Sequence, residues 1–432
     1  MTVLDKIAAA GVVGAGGAGF PTHAKLRTRA DIVVANGAEC EPLLRVDRLL
    51  MEYNAAEIVA GLEIAMEQVQ AKEGILFLKA HYAEAADALQ NRLGGNMRLL
   101  PSKSYYPAGD EQQIIYQATR RVVPPGGLPR DVGCVVLNVG TLANIAAAVE
   151  GRPVTDRMIT VGGAVNNPVT LRLPVGTPMS MLPAWAGGLQ EDCHYIIGGP
   201  CMGTMTESLE GQLVTKTTGG LLALPKRHPL APQKSEEIQY SATLSVCCQC
   251  NMCTQLCPRQ ALGLGTSPHK AMRSLAAGTD LIGNVNAVMT CCDCGLCTYF
   301  ACNFGLNPAL VMRRMKKAMA DKGIGPDRKS LHSPDFYIDN KRLSANRLVA
   351  RMGLRRYDLP APYDRSPKSV PLVRIPLKMH IGAAARPVVK PGDRVEHGAP
   401  IAEPPDGALG ARIHAGIGGT VTEVSDHIEI RG

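Results

Sequence analysis

Two short cysteine runs constrain this chain more than any other feature of its sequence. Ten of the 14 cysteines lie in CCQCNMCTQLCP, which starts at Cys247, and in CCDCGLCTYFAC, which starts at Cys291. Cysteine pairs separated by two residues serve as metal ligands in reducing compartments, where disulfides are rare. The distribution therefore indicates metal binding rather than a disulfide framework.

The first run follows the pattern C-x2-C-x2-C-x3-C-P, which holds [4Fe–4S] clusters in bacterial two-cluster ferredoxins. A tight loop with a thiolate at every third residue can wrap three corners of one cubane. The fourth cysteine lies beyond the turn and serves the other cluster, while Pro258 directs the chain out of the loop. We therefore expect two [4Fe–4S] clusters that pass electrons one at a time.

The second run differs in its last interval, which spans four residues and precedes Asn303 rather than a proline. Cys302 is therefore the ligand with the least typical spacing. The crossing rule for two-cluster ferredoxins divides the eight ligands into two sets. We call them the first set, Cys247, Cys250, Cys253 and Cys302, and the second set, Cys291, Cys294, Cys297 and Cys257.

Alternatives to this assignment remain open in the sequence. Cys248 and Cys292 occupy intervening positions, and either could displace a neighbouring ligand. A pair of zinc sites is the other interpretation, since C-x2-C pairs also bind zinc. Four cysteines in this run, found twice, favour iron–sulfur clusters. The scattered remaining cysteines are expected to be buried apolar thiols: Cys40, Cys134, Cys193 and Cys201.

The composition indicates a globular protein of several domains. The chain has 432 residues, of which 46% are hydrophobic and 19% charged. No stretch approaches the roughly 18 apolar residues of a membrane span, and the first residues lack the pattern of a secretory signal. We therefore expect an intracellular protein without a membrane span. The net charge of +8 is spread along the chain, which favours a mildly basic protein over a docking face for an acidic partner, and no nucleic-acid partner is expected.

Changes in sequence character divide the chain into six segments. The first alternates helical and strand patterns, which predicts a mostly parallel sheet, whereas the second has short β-branched runs between Asn-Pro and Thr-Pro turns. The segments are an α/β domain at 1–155, a small β-rich module at 156–223, a linker at 224–239, the cysteine segment at 240–325, a helical and Pro-rich connector at 326–370 and a β-rich module at 371–432.

A glycine-rich turn lies near the start of the α/β domain. Gly14, Gly16 and Gly19 match G-x-G-x-x-G, and Glu39 follows twenty residues after Gly19. The residues before the turn look helical, so the strand that a dinucleotide fingerprint requires is missing. Glycines still let backbone N–H groups approach a phosphate, and Lys25 could add a charge. A merely tight turn is the competing interpretation.

Three motifs together resemble the flavin-binding subunit of respiratory complex I: GAGGAGFPTHAKL, NGAECEP at 36–42 and NVGTLANI at 138–145. Over nearly its whole length the chain resembles more closely the C subunit of the Rnf electron-transport complex and the cobalamin reductases of propanediol-utilising microcompartments. The barrel-sandwich-like module comes last here, which is the cobalamin-reductase arrangement. Its PPDGALGAR turn has no lysine, so neither biotin nor lipoate is expected on it.

The resemblance implies a multidomain α/β fold. It consists of a Rossmann-like FMN- and NADH-binding domain, a β-grasp (SLBB-like) module, a ferredoxin-like α+β segment with two [4Fe–4S] clusters and a barrel-sandwich (lipoyl-like) module. It also implies cofactor contacts, with Glu111 matching an acidic position near the nicotinamide. These contacts are Gly14, Gly16, Gly17, Gly19 and Lys25 for the FMN phosphate, Asn36, Glu39, Asn138 and Thr141 for its ribityl chain and ring, and Phe20 and Glu41 for NADH.

The implied activity is that of an NADH-dependent cobalamin reductase. Electrons would pass from NADH through FMN and both clusters to cob(III)alamin or cob(II)alamin, for reactivation of adenosylcobalamin. The expected partners are cobalamin or a corrinoid-adenosylating protein and other electron-transfer proteins of a bacterial microcompartment in the cytoplasm. The alternative is a non-catalytic electron-transfer subunit of an Rnf-like or microcompartment complex. His194 and Met202 are expected to serve the core or a loop rather than cobalt.

Overall fold

The computed structural model describes residues 1–230 and 236–432, and its first 155 residues alternate helices with strands. The sequences of the strands IVVANG and CVVLN are almost continuously apolar, which is typical of strands buried on both faces of a parallel sheet. The elements are α1 (Val3–Ala9), α2 (Thr22–Lys25), β1 (Ile32–Gly37), α3 (Val46–Tyr53), α4 (Ala55–Val69), β2 (Glu73–Lys79), α5 (Ala83–Gln90), β3 (Met97–Ser102), β4 (Tyr105–Tyr106), α6 (Glu111–Thr119), β5 (Cys134–Asn138) and α7 (Val139–Val149).

Four of these strands form a parallel sheet in the order β3-β2-β1-β5. Asn36 and Asn138 are paired in register near the carboxyl ends of β1 and β5. Ligands of open α/β sheets bind outside the carboxyl ends of the strands, so the sheet directs both asparagines towards such a site.

The β module contains β6 (Asp156–Gly163), β7 (Val169–Pro174), α8 (Leu182–Trp185), β8 (Cys193–Ile197), β9 (Thr204–Thr206) and β10 (Gly220–Pro225). Its sheet has the order β12-β7-β6-β10-β8-β9, where β12 (Tyr363–Asp364) comes from the connector. The predicted linker at 224–239 overlaps β10 at one end and α9 (Glu236–Val246) at the other. Residues 231–235 of that linker lie outside the described part of the chain.

The cysteine segment is helical in its described residues, from α9 onwards. The predicted α+β character is wrong, because no strand forms between 236 and 325. Left-handed backbone at Gln249, Asn251 and Asp293 curls each cysteine run into a loop, which leaves no extended stretch to pair as a strand. The helices after α9 are α10 (Met252–Gln255), α11 (Pro258–Ala261), α12 (Pro268–Ala277), α13 (Asn286–Met289) and α14 (Pro308–Asp321).

The connector forms hydrogen-bonded strand pairs with both preceding β structures. Its strand β11 (Leu343–Ser344) pairs antiparallel with β4 of the α/β domain, and β12 pairs parallel with β7 of the β module. Helix α15 (Ala345–Arg351) lies between them. The connector therefore joins the α/β domain and the β module instead of acting as a loose tether.

The C-terminal module is built from two small sheets, β13-β19-β18-β15 and β14-β16-β17. Its core contains Val373, Ile375, Ile401 and Ile430 from both sheets. Nowhere in the described residues does a helix have the length and apolarity that a membrane span requires. The strands are β13 (Leu372–Pro376), β14 (Arg386–Pro387), β15 (Arg394–Val395), β16 (Pro400–Glu403), β17 (Ile413–His414), β18 (Gly419–Val424) and β19 (His427–Arg431).

Candidate functional site

A cavity of about 310 Å³ opens between the carboxyl edge of the parallel sheet and the β module; we call it the main cavity. The α/β domain supplies the predicted residues of its wall, and the β module supplies a glycine-rich turn at 198–203. The structure thus brings together six of the predicted cofactor contacts: Gly16, Gly17, Asn36, Glu39, Glu41 and Asn138.

The glycine-rich loop, residues 14–20, is closed by a hydrogen bond from the Gly14 N–H to the Phe20 carbonyl over 3.0 Å. A Cβ at Gly16 would lie 2.9 Å from Asn138 Nδ2, so any side chain there would force the Asn138 side chain to shift. Gly17 has φ +124°, and a Cβ at this position would meet no atom within 4 Å. The loop therefore presents bare backbone to the cavity, as a phosphate cradle requires.

Two predicted residues support the loop and shape the cavity wall. Thr141 is buried, and its Oγ1 accepts a hydrogen bond from the Ala15 N–H over 2.9 Å. Asn138 caps α7 by accepting from the Gly140 N–H, and its Nδ2 donates to Asp47 over 2.9 Å. Thr141 thus positions the loop from behind, outside the cavity lining.

Two carboxyl groups in the main cavity carry oxygens that have no hydrogen-bond partner among the described residues, Glu39 Oε2 and Glu41 Oε1. The other oxygen of Glu39 accepts from the Asp47 N–H, and that of Glu41 accepts from the Cys201 N–H over 2.8 Å. Burial raises the pKa of each glutamate to about 7, and the Asp47 charge adds to the effect on Glu39. Both groups therefore have unused hydrogen-bonding capacity that a polar ligand could satisfy.

The buried cation of this cavity, Arg157, was not predicted from the sequence. Its side chain is 8% exposed and donates to the carbonyls of Ala15 and Thr218 over 2.7 and 2.9 Å. It brings a positive charge beneath the glycine-rich loop. The turn IIGGPCMG at 196–203 was the sequence signal for the β-module wall, since it is a second glycine cluster beside a strand.

Lys25 and Phe20 do not line the main cavity. They line a separate cavity of about 260 Å³ together with Glu111, which we call the side cavity. Lys25 Nζ contacts Glu111 Oε1 over 2.9 Å, and Phe20 is 40% exposed. Helix α2 thus places Lys25 against Glu111, so the structure separates this lysine from the glycines with which it was grouped.

The first cysteine set surrounds one small cavity of about 30 Å³, and Cys248 reaches the same cavity. Cys250 and Cys248 are exposed, whereas the other members of the set are half-buried. Burial, followed by the charges of Cys247, Cys250 and Cys302, raises the pKa of Cys253 to about 12. Thiols from both runs therefore line one cavity, which contains the four members of the first set together with Cys248.

The second cysteine set is packed more deeply. Burial, followed by the charges of Cys291 and Cys257, raises the pKa of Cys297. The long interval before Cys302 is taken up by a π-helical turn over Cys297–Ala301, in which the Cys302 N–H donates to the Cys297 carbonyl over 3.1 Å. The extra residue is therefore absorbed, and Cys302 still reaches the first set.

No three His, Cys, Asp or Glu side chains in the described ranges are arranged around a single metal ion. A cubane cluster needs a different arrangement, because its cysteine thiolates bind separate iron atoms at its corners. Thiolates are the donors that iron–sulfur clusters require, so the chemistry of both sets fits such clusters.

The second set lies against the wall of the main cavity. Glu41 in that wall accepts from the Cys201 N–H, and a Cβ at Gly295 would lie 3.3 Å from the Cys201 carbonyl oxygen. Gly295 directly follows Cys294. One residue of the β module therefore separates the cavity from the loop of the second cysteine run.

Two polar contacts fix the second set to the α/β domain. Arg259, two residues after Cys257, forms an ion pair with Asp110 over 2.6 Å, and both side chains are largely buried. Gln113 Nε2 donates to the Pro258 carbonyl over 2.8 Å. These contacts hold the cysteine segment in a fixed position beside the main cavity.

Comparison with protein families identifies three domains in the chain. Residues 7–147 match the Nuo51 FMN-binding domain, residues 246–307 a 4Fe-4S dicluster domain and residues 365–432 the RnfC barrel sandwich hybrid domain. These matches confirm the predicted multidomain α/β organisation, with FMN and [4Fe–4S] clusters as cofactors. The glycine cradle and unpartnered carboxyl oxygens of the main cavity fit FMN, as the two thiol sets fit the clusters.

Known proteins resemble the chain to different extents. It is 43% identical to the cobalamin reductase PduS of Salmonella typhimurium over 98% of this chain and 95% of that protein. It is 40% identical to the C subunit of the Na⁺-translocating ferredoxin:NAD⁺ oxidoreductase complex of Acetobacterium woodii, over 58% of this chain and 56% of that protein. An NAD⁺-reducing [NiFe]-hydrogenase structure matches with a TM-score of 0.48 and 21% identity, covering 83% of this chain and 67% of that one.

Proposed function

The chain belongs to the family of the cobalamin reductase PduS, and we propose that it reduces a corrinoid with electrons from NADH. FMN and two [4Fe–4S] clusters would carry the electrons, for reactivation of the adenosylcobalamin cofactor. The observation that carries the proposal is the shared wall at Cys201, which joins the main cavity to the second cysteine set.

The main cavity would hold FMN, which supplies the conversion of a two-electron hydride into single electrons. Gly16 and Gly17 present the backbone to its phosphate, and Arg157 adds the nearby positive charge. Asn36 and Asn138 offer amide groups at the strand ends. Glu39 and Glu41 can each exchange a proton near neutral pH, because burial raises the pKa of both to about 7.

The remaining predicted contact residues fall into two groups: some hold the glycine-rich loop in shape, and others line the side cavity. Gly14 and Thr141 hold the glycine-rich loop in shape, and Gly19 joins it to the C-terminal module. Phe20 and Lys25 lie in the side cavity with Glu111, so we place them on the NADH side of the site.

The cysteine sets would hold the two clusters as the crossing rule assigns them. The second set adjoins the main cavity, and the first set includes the exposed Cys250. This arrangement supports an order in which electrons enter at the second set and leave the protein at the first. Loss of both cluster EPR signals in a Cys250→Ala, Cys294→Ala variant is expected, whereas retention of both would contradict the ligand assignment.

We extend the proposal to the fold and setting. The strand order β3-β2-β1-β5 supports a Rossmann-like description of residues 1–155, and the mixed sheet supports a β-grasp description of the β module up to Pro225. The further units are the cysteine segment at 240–325, the connector at 326–370 and the barrel-sandwich module at 371–432. The setting is a cytoplasmic bacterial microcompartment, with a corrinoid-adenosylating protein and other electron-transfer proteins as partners.

The test is anaerobic turnover by the purified protein reconstituted with FMN, iron and sulfide. We expect NADH oxidation that depends on added cob(III)alamin and that falls strongly in Gly16→Ala, whose new Cβ would press on Asn138. A Gly94→Ala variant is the matched control, because a Cβ there meets no atom within 4 Å. A reconstituted protein that reduces its clusters with NADH but not cobalamin would instead support the alternative of a non-catalytic electron-transfer protein.

A further inference from the structure

The glycine-rich loop is held in part by the C-terminal module. The N–H of Ile381 donates to the Ala18 carbonyl over 3.0 Å. A Cβ at Gly19 would lie 2.7 Å from the Cβ of His380 and 2.8 Å from Thr217 Cγ2. The backbone of residues 18–19 is therefore in close contact with residue 380 and the β module at once.

A buried lysine makes a second junction between the same three units. Lys216 of the β module is 3% exposed, and its ammonium group donates to the Gly11 carbonyl over 2.7 Å and to the Arg412 carbonyl over 2.6 Å. It has no ion-pair partner in the part of the chain that the structure describes. Gly11 immediately precedes the segment that enters the glycine-rich loop, so Lys216 anchors that loop's base to the C-terminal module.

We propose that the C-terminal module is a working part of the FMN site, which fixes the glycine-rich loop in its binding conformation through Ile381 and Arg412. The inference rests on the proposed function, since it takes the main cavity as the FMN site. The role that we assign to the C-terminal module is one of positioning, because the described residues of that module do not line the main cavity.

The physical basis is the conformational freedom of glycine. Gly14, Gly16, Gly17 and Gly19 lose more backbone entropy on ordering than other residues do. A loop that is already ordered by Ile381 and Lys216 does not have to be ordered by its ligand. The coupling is reciprocal, so FMN bound at the loop must also stabilise the docked position of the C-terminal module.

A pair of substitutions at Ile381 isolates the backbone contact in the full chain. Ile381→Pro removes the N–H donor, whereas Ile381→Ala keeps it and removes only a side chain that is 49% exposed. We expect the proline variant to bind FMN at least tenfold more weakly than the alanine variant, a difference of about 1.4 kcal/mol, by quenching of FMN fluorescence. Equal dissociation constants would overturn the inference.

A second pair tests the lysine junction. Lys216→Met should weaken FMN binding, while Lys226→Met should not, because Lys226 is an exposed partner of Asp192. Hydrogen exchange supplies a readout that does not depend on activity: FMN should slow exchange at 377–383 and 410–414 in the parent protein. Hydrogen-exchange rates in these two segments that are the same with and without FMN would contradict the coupling.

The outcomes separate this inference from the proposed function. A parent protein that binds no FMN overturns both. A parent that binds FMN while Ile381→Pro and Lys216→Met bind it equally well overturns the positioning role alone. If the proline unfolds the C-terminal module, as circular dichroism and melting would reveal, FMN affinity must fall with it; unchanged affinity in that protein also overturns the inference.

Discussion

The phenolic hydroxyl of Tyr106 donates a hydrogen bond to the backbone carbonyl of Cys294 over 2.5 Å. Tyr106 belongs to the α/β domain and is 1% exposed, and Cys294 belongs to the second cysteine set. This buried contact therefore connects the unit that would hold the flavin directly with a proposed ligand of the nearer cluster, in addition to the contacts of Arg259 and Gln113. Removing this hydrogen bond should therefore affect both the stability of the protein and the rate of cluster reduction, and the two effects can be measured separately.

Tyr106→Phe should destabilise the protein by about 1 kcal/mol, because a buried carbonyl loses its partner while the ring packing is kept. It should also slow cluster reduction severalfold after mixing with NADH, as the Cys294 loop loses its attachment. Urea unfolding and stopped-flow absorbance measure the two effects. Tyr105→Phe is the control, because its hydroxyl bonds Gln117 within the α/β domain; equal reduction rates in both variants would contradict the prediction.

Arg259→Met should destabilise the protein by about 3 kcal/mol, since it leaves the buried Asp110 carboxylate without its cation. The double variant Asp110→Asn, Arg259→Met should recover most of that loss, because asparagine can still cap α6 without a charge. Urea unfolding of the parent, the two single variants Asp110→Asn and Arg259→Met, and the double variant measures the coupling. Arg152→Met is the exposed-pair control and should change little; additive losses in the double variant would count against a buried pair.

Cys302→Ala should remove the cluster of the first set, whose other three ligands lie in the first cysteine run. Cys257→Ala should remove the cluster of the second set, whose other three ligands lie in the second run. Cys302→Ala should leave the second set intact and still reducible by NADH, because that set adjoins the main cavity. Cys257→Ala should leave the first set intact but slow its reduction. Iron content and EPR spectra of the reduced variants check this. If Cys257→Ala instead lost the cluster of the first set, the crossed ligand assignment would be refuted.

The flavin-free protein should lose stability as pH rises from about 4.5 to about 7. Burial raises the folded-state pKa of Glu41 from 4.5 to about 7, so the folded state binds more protons than the unfolded state in that window. The penalty is complete above pH 7 and amounts to on the order of 3 kcal/mol.

Glu41→Gln should remove this contribution, so the variant gains stability relative to the parent at pH 8 but not at pH 4. Urea unfolding at both pH values measures the difference. Glu84→Gln is the matched control, since its carboxyl is exposed. A parallel pH dependence in parent and Glu41→Gln would show that Glu41 is not the titrating group.

Sequence alone predicted what short-range geometry determines. Cysteine spacing predicts which thiols face which cluster within each loop, and this ligand assignment stays a prediction; in the structure, thiols of both runs line one cavity. Asn36 and Asn138 could be placed because both follow apolar strands, and neighbouring parallel strands end at the same edge. The π-helical turn was beyond prediction, since its hydrogen bond depends on how Cys302 reaches back to the first set.

The features that the sequence did not predict depend mainly on packing between residues that are far apart along the chain. Lys25 stands five residues after Phe20, yet α2 turns it towards Glu111 on another element. Arg157 is far from the glycine-rich loop along the chain, so no local pattern joins them, and only the packing of the β module brings it beneath the loop. The strands expected in the cysteine segment are missing because its left-handed residues curl the chain at each run.

The contact between Ala18 and Ile381 has a consequence for the order of events during biosynthesis. A ribosome makes the glycine-rich loop more than 360 residues before it makes Ile381, and Arg412 follows later still. On the positioning role that we propose, the loop near the start of the α/β domain would stay incomplete until translation is nearly over. Flavin loading would then come at the end of synthesis, and a chain that stalls before residue 380 would emerge without a completed cofactor site.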